Sequence, residues 1–89
     1  MALRRTVTIS NRLGLHARPA ALFVQTSSKY DCEVWVERDE LRVNGKSIMG
    51  VMMLAAENGA DLCIEAEGED AQACLDALSA LIESGFQED

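Results

Sequence analysis

The apolar residues of this chain switch repeatedly between two spacings, and this switching limits the fold more than any other feature. In four short segments they fall at every second position, which is typical of a β-strand with one buried face. In three others they recur every three or four positions, which is typical of an amphipathic helix. The predicted order is βαββαβα, with strands over 6–10, 32–37, 41–44 and 61–67 and helices over 17–28, 47–58 and 69–85.

This order predicts one domain covering residues 1–89, because so short a chain closes around a single core. Strands with alternating faces and one-sided helices predict a two-layer α+β fold, with the helices covering one face of the sheet. Trp35 is expected on the uncovered face. Leu78 belongs to the longest apolar stripe, on the last helix, and is expected in the core.

The charge distribution restricts the partners of the chain. A formal net charge of -7 disfavours nucleic acid, which binds through clustered Lys and Arg. The strands contain one aromatic residue, Trp35, and lack the set of aromatic residues of an RNA-binding sheet. The acidic residues concentrate in the second half of the chain. A local basic surface is therefore expected from the first third, which contains Arg4, Arg5, Arg12, Arg18 and Lys29.

The chain has three cysteines, Cys32, Cys63 and Cys74. Their odd number and the absence of a C-x-x-C spacing argue against a disulfide framework or a zinc site. We expect three reduced thiols. A cysteine enzyme is disfavoured, because no base or orienting group is evident near any of them. The N-terminus has no apolar run of the length of a signal peptide or membrane span. These observations predict a cytoplasmic protein without a membrane association.

His16 is the only histidine, and it lies directly before a predicted helix whose first turn contains Pro19. The first N–H groups of a helix and its dipole favour an anion, and the Arg18 guanidinium can add two parallel hydrogen bonds. A covalent phosphohistidine would be stabilised there. Spacing alone leaves a second interpretation open, in which His16 merely caps the helix.

Two segments carry a resemblance that spans essentially the whole chain. Residues 14–20, Gly-Leu-His-Ala-Arg-Pro-Ala, resemble the active-site segment of the HPr family, the histidine-containing phosphocarriers of the bacterial phosphotransferase system. Residues 45–52, Gly-Lys-Ser-Ile-Met-Gly-Val-Met, resemble its regulatory segment. The resemblance implies an HPr-like open-faced sandwich, in which three helices cover one face of a four-stranded antiparallel sheet.

The resemblance also implies a function. Enzyme I, which draws on phosphoenolpyruvate, is expected to phosphorylate His16 at Nδ1, and an enzyme II A component to receive the group, with Arg18 stabilising the phosphate. Ser47, the predicted N-cap of the second helix, is a candidate for regulatory phosphorylation by an HPr kinase/phosphorylase. The chain would be a monomer and a substrate of enzymes, acting in sugar transport and its regulation without a cofactor or metal.

The second predicted helix has more apolar side chains than a short helix can bury. Ile48, Met49 and Met52 are expected to border His16 and to form the centre of partner docking, since flexible thioethers suit several partners. Val51, Leu54 and one or two of the methionines are expected in the core.

The sequence indicates the family more specifically than the pathway in which the protein acts. Met53 and residues 55–57, Ala-Ala-Glu, resemble proteobacterial versions, some of which belong to a nitrogen-related branch. An alternative function is therefore a regulatory docking module of that branch, which signals by its phosphorylation state and passes nothing on.

Overall fold

A computed structural model describes residues 2–87. Its elements follow the predicted order βαββαβα, and a short 3-10 turn, Gly85–Gln87, follows the last helix. The strands are β1 (Ala2–Thr8), β2 (Glu33–Arg38), β3 (Leu41–Asn44) and β4 (Asp61–Glu67), and the helices are α1 (Ala17–Ser27), α2 (Ile48–Met53) and α3 (Ala71–Glu83).

The strands form an antiparallel sheet in the order β1-β4-β2-β3. Val36 lies opposite Ile64 of β4 on one side and opposite Val43 of β3 on the other, so that apolar side chains share one face. Helix α3 packs on β1 and β4, while α1 contacts both α2 and α3. The predicted two-layer α+β fold is confirmed.

The buried face of the sheet follows the predicted alternation. Cys32, Val34 and Val36 point into the core from β2 and the residue before it, and Leu62 and Ile64 do so from β4. From α3 the core receives the predicted stripe, which contains Ala71, Cys74, Leu75, Leu78 and Ile82. Leu78 is fully buried, as expected.

The opposite face of the sheet carries charged side chains in alternating sign. Trp35 lies there, as predicted, with the Arg42 guanidinium 4.9 Å from its ring centroid. Arg42 also pairs with Glu37 and Glu65, and Arg4 lies 3.0 Å from Glu37 and 3.4 Å from Glu65. Cross-strand pairs of opposite charge therefore stabilise the register of this face.

These pairs correct the predicted basic surface. Arg4 is engaged by the carboxylates of the outer face, and Arg5 lies 2.9 Å from Asp76 of α3. Carboxylates thus offset the positive charges of Arg4 and Arg5, two of the five basic residues. Arg12 and Arg18, which flank His16 in the chain, remain exposed, so that positive charge is retained closer to the histidine.

The bounds of β1 and α2 were predicted wrongly, those of β1 at both ends and that of α2 at its C-terminal end. Strand β1 begins at Ala2 and ends at Thr8, because Leu3 also alternates into the core and β4 pairs along this whole length. Ile9 instead exchanges backbone hydrogen bonds with the loop before β4, through Gly59 and Ala60. Helix α2 ends at Met53 rather than near residue 58, since Ala55 adopts a left-handed φ of 49°.

Candidate functional site

The loop between β1 and α1 is tightly held, and it carries His16 at its end. Asn11 is buried, and its Nδ2 donates a 2.7 Å hydrogen bond to the carbonyl of Gly14. Gly14 has a φ of 73°, which favours glycine, and it precedes the buried Leu15. The Leu15 N–H donates to the carbonyl of Ala56 at 2.8 Å, so the loop is anchored directly before the histidine.

His16 is the N-cap residue of α1, with an extended backbone (φ -82°, ψ -169°). Its carbonyl accepts the first helical hydrogen bond, from Ala20 at 3.0 Å, and its N–H donates to Gly14 at 3.0 Å. The side chain accepts no capping hydrogen bond within α1, which disfavours a purely capping role. His16 is half-buried, and its Nε2 atom is buried. Nε2 is therefore not in the part of the imidazole ring that faces solvent.

The first turn of α1 directly follows His16 in the chain and contributes N–H donors. The N–H groups of Ala17 and Arg18 have no acceptor within a helix that starts at Ala17, and Pro19 has no N–H. Both residues are exposed, and no acidic residue lies in this turn. The helix dipole and these two donors therefore favour an anion next to His16.

Ser47 is the N-cap of α2, as predicted, and its Oγ accepts a hydrogen bond from the Gly50 N–H at 3.0 Å. The turn before it is held by Asn44, whose Oδ1 accepts from the Lys46 N–H at 2.8 Å. Ser47 is half-buried at the start of the helix. A polar or anionic side chain at this position fits the local structure.

The apolar side chains of α2 divide sharply between core and surface. Val51 and Leu54 are buried, as expected. The exposed fractions are 44% for Ile48, 75% for Met49, 40% for Met52 and 63% for Met53. The expectation that one or two of these methionines are core is wrong, because so short a helix turns only one narrow side toward the protein. That the exposed side chains border His16 stays a prediction.

Among the residues that the structure describes, the cysteines are the other candidate reactive groups. Cys32, Cys63 and Cys74 carry free thiols. Burial raises the pKa of Cys74 to about 12 and also raises that of Cys32, so neither supplies a thiolate near neutral pH. Within residues 2–87, no three His, Cys, Asp or Glu side chains are grouped to bind a metal, and no helix has the length and apolarity to cross a bilayer.

Three comparisons with known proteins bear on this site. A family model described as the PTS HPr component phosphorylation site matches residues 3–84. The chain belongs to the HPr family. The phosphocarrier protein HPr of Treponema pallidum is 48% identical over 85 residues, which are 96% of this chain and 97% of the relative. This HPr-family chain is thus a phosphocarrier protein of the phosphotransferase system.

Solved structures agree with this HPr assignment. A crystal structure of HPr from Thermoanaerobacter tengcongensis has a TM-score of 0.94 at 50% identity and covers 98% of each chain. An HPr dimer from the same organism has a TM-score of 0.78 at 52% identity, covering 92% of this chain and 94% of that one. That the present chain is a monomer stays a prediction.

The sequence predicted His16, Arg18 and Ser47 as site residues but gave little indication of the residues that hold the His16 loop. The sequence did not single out Asn11, Asn58 or Arg38. Their contacts join segments far apart in the chain, for example Asn58 with the carbonyls of Ser10 and Asn11. Only the turn-forming Asn58-Gly59 pair gave a local signal.

Proposed function

We propose that His16 accepts a phosphoryl group from phosphorylated enzyme I and passes it to a histidine of an enzyme II A component, in the cytoplasm and as a monomer. The observation that carries this proposal is a half-buried imidazole at the N-cap of α1. Its Nε2 atom is buried, which favours Nδ1 as the acceptor. Ala17 and Arg18, the first two residues of α1, are exposed, and their N–H groups can stabilise the phosphate charge through the helix start.

The transfer requires no other reactant. The lone pair of Nδ1 attacks phosphorus, a nitrogen–phosphorus bond forms, and the bond between phosphorus and enzyme I breaks with its electron pair returning to enzyme I. A histidine nitrogen of the enzyme II A component then attacks the same phosphorus, and the bond between phosphorus and Nδ1 breaks with its electron pair returning to Nδ1, which regenerates neutral His16. The protein holds a dianionic group in between, for which Arg18 supplies a guanidinium and the helix its dipole.

A carrier of this kind must stabilise the group without enclosing it. The exposed first turn of α1 meets this requirement, since a partner can approach Arg18 and the histidine directly. Two N–H donors and one mobile guanidinium give a stabilisation that partner groups can replace. We infer that Arg18 positions the phosphate and contributes little to the stability of the fold.

The test is a relay with labelled phosphoenolpyruvate, enzyme I and an enzyme II A component. The wild type is expected to take up label and to deliver it to the acceptor. Arg18→Gln is expected to slow delivery about tenfold, the effect of losing one charge-assisted phosphate contact. Arg12→Gln, which removes another exposed arginine that lies outside the helix, is the matched control.

The relay also separates the two candidate roles. Label that reaches His16 and never leaves it would favour the regulatory docking module of a nitrogen-related branch, which the Ala-Ala-Glu pattern of residues 55–57 suggested. Equal rates for Arg18→Gln and Arg12→Gln would remove Arg18 from the phosphate site.

We further propose that Ser47 is a site of regulatory phosphorylation by an HPr kinase/phosphorylase, with Ile48, Met49 and Met52 in the docking surface beside it. Their exposure and the N-cap position of Ser47 support this proposal. A phosphate there faces the helix dipole, so the fold tolerates it, while the surface gains nearly two negative charges.

Ser47→Asp is expected to weaken binding of enzyme I about fivefold, the effect of ~1 kcal/mol of charge repulsion at a docking surface that meets a phosphorylated partner. Ser47→Asn preserves an N-cap without the charge and is the matched control. Titration calorimetry with enzyme I measures both. Equal affinities of the two variants would leave Ser47 with a capping role alone.

A further inference from the structure

Arg38 ends β2 and reaches the backbone that leaves α2. Its Nη1 donates to the carbonyls of Leu54 at 3.1 Å and Ala55 at 2.8 Å, and its Nη2 donates to Oε1 of Glu57 at 2.6 Å. The Glu57 carboxylate accepts as an ion, because its own backbone N–H and then the Arg38 guanidinium lower its pKa. One side chain thus holds three points of segment 54–57.

This segment lacks the residue that ordinarily ends a helix. Ala55 adopts the left-handed conformation that glycine or asparagine usually provides after a helix. The N–H groups of Leu54 and Ala55 donate to the carbonyls of Val51 and Met52, and a cation beyond this end is favoured by the helix dipole. The Arg38 guanidinium satisfies the carbonyls of Leu54 and Ala55 and so stabilises the turn from α2 into Ala56.

The position of Ala56 determines the position of the residues before His16. The Ala56 carbonyl accepts the hydrogen bond from the Leu15 N–H at 2.8 Å. Gly14 lies so close that a Cβ on it would meet the same oxygen at 2.4 Å. A shift of Ala56 must therefore be transmitted to Gly14 and Leu15, because no free space separates them.

The start of the His16 loop is attached to the same stretch of chain. The Nδ2 of Asn58 donates to the carbonyls of Ser10 at 3.2 Å and Asn11 at 3.1 Å. The next residue, Gly59, donates its N–H to Ile9 at 2.8 Å. Residues 56–59 thus contact both the beginning and the end of the loop over residues 9–15.

We propose that Arg38 is a positioning residue for phosphoryl transfer, acting on His16 through segment 54–57 and the loop over residues 9–15. The inference rests on the proposed function of His16. It also links α2, whose exposed side chains are the predicted docking surface, to the histidine: Arg38 holds the end of α2 and the support of the loop in one arrangement.

The test compares Arg38→Met with Arg42→Met. Arg42 is a matched control, since it also pairs with carboxylates but lies over Trp35 on the outer face of the sheet. Arg38→Met is expected to speed hydrogen exchange of the Leu15 amide about tenfold relative to Ile64 in the central strand β4. We expect kcat for transfer from enzyme I to fall about tenfold, with both quantities near wild type in Arg42→Met.

Arg38→Lys retains the charge but not the planar fork of donors, so its exchange and kcat are expected between those of wild type and Arg38→Met. It also replaces Arg38→Met should that variant unfold, which fast exchange of Ile64 would reveal. The proposal is overturned if Leu15 exchange and kcat match those of Arg42→Met, if exchange rises without a fall in kcat, or if only KM rises.

A wild type that takes no label on His16 would contradict the proposed function instead. The exchange of the Leu15 amide is measured without any phosphoryl donor, so the connection from Arg38 to the loop is tested separately from the role of His16. The two failures are thereby distinguished.

Discussion

Replacing His16 by alanine is expected to abolish phosphoryl acceptance from enzyme I while the protein stays folded. The imidazole is the group proposed to carry phosphorus, and His16 is the only histidine in the chain. His16 is half-buried and lies outside the apolar core, so we expect the free energy of unfolding to change by less than about 1 kcal/mol. Incubation with enzyme I and labelled phosphoenolpyruvate measures acceptance, and urea unfolding measures stability.

His16→Asn is the control for this experiment. Asparagine is a favourable N-cap residue, so this variant separates the loss of the imidazole from any change in the start of α1. Both variants are expected to remain unlabelled. Label on either variant at the level of the wild type would mean that another side chain accepts the phosphoryl group.

Leu78→Ala is expected to have the largest effect on stability, lowering the free energy of unfolding by about 2 to 5 kcal/mol. Leu78 is fully buried in α3, which packs on β1 and β4. Truncation removes apolar contact and leaves a cavity between helix and sheet, which such a close-packed interior fills only in part. Urea denaturation monitored by circular dichroism gives the difference.

Leu13→Ala provides the comparison within the same protein. Leu13 is 66% exposed in the loop before His16, and its truncation is expected to change stability by less than about 0.5 kcal/mol. If the two variants lost equal stability, the assignment of the Leu78 face of α3 to the core would be wrong.

The sequence predicted those parts of the fold that depend on local patterns. Alternation identified the buried face of β2 and β4, and the apolar stripe of α3 identified Leu78. Ser47 was predicted as an N-cap because a serine hydroxyl suits the first free N–H groups of a helix. In each case neighbouring residues determine the outcome, so a single sequence contains the required information.

The end of α2 depended on a contact that no local pattern reveals. Apolar spacing extends to Ala55 and suggested a longer helix, but the chain turns there with a left-handed alanine. Arg38, 17 residues earlier in the chain, donates to the carbonyl of that alanine. Tertiary hydrogen bonds therefore decided the length of this helix against its sequence pattern.

The sequence indicated the reactive residues of the candidate site but not the residues that support them. His16 and Arg18 were identified from their place at a helix start and from a family resemblance over residues 14–20. The groups that hold the loop were not, because Asn58 acts on residues 10 and 11 from 47 or 48 positions away. The reactive residues lie in one short segment, whereas their support comes from other parts of the chain.

The most direct test of this account is the identity of the phosphorylated atom. Two-dimensional 1H–15N NMR of the imidazole, recorded before and after phosphorylation by enzyme I and phosphoenolpyruvate, distinguishes Nδ1 from Nε2. The account predicts a phosphoryl group on Nδ1 of His16, which disappears when an enzyme II A component is added. A group on Nε2, on another residue, or one that the acceptor cannot remove would contradict it.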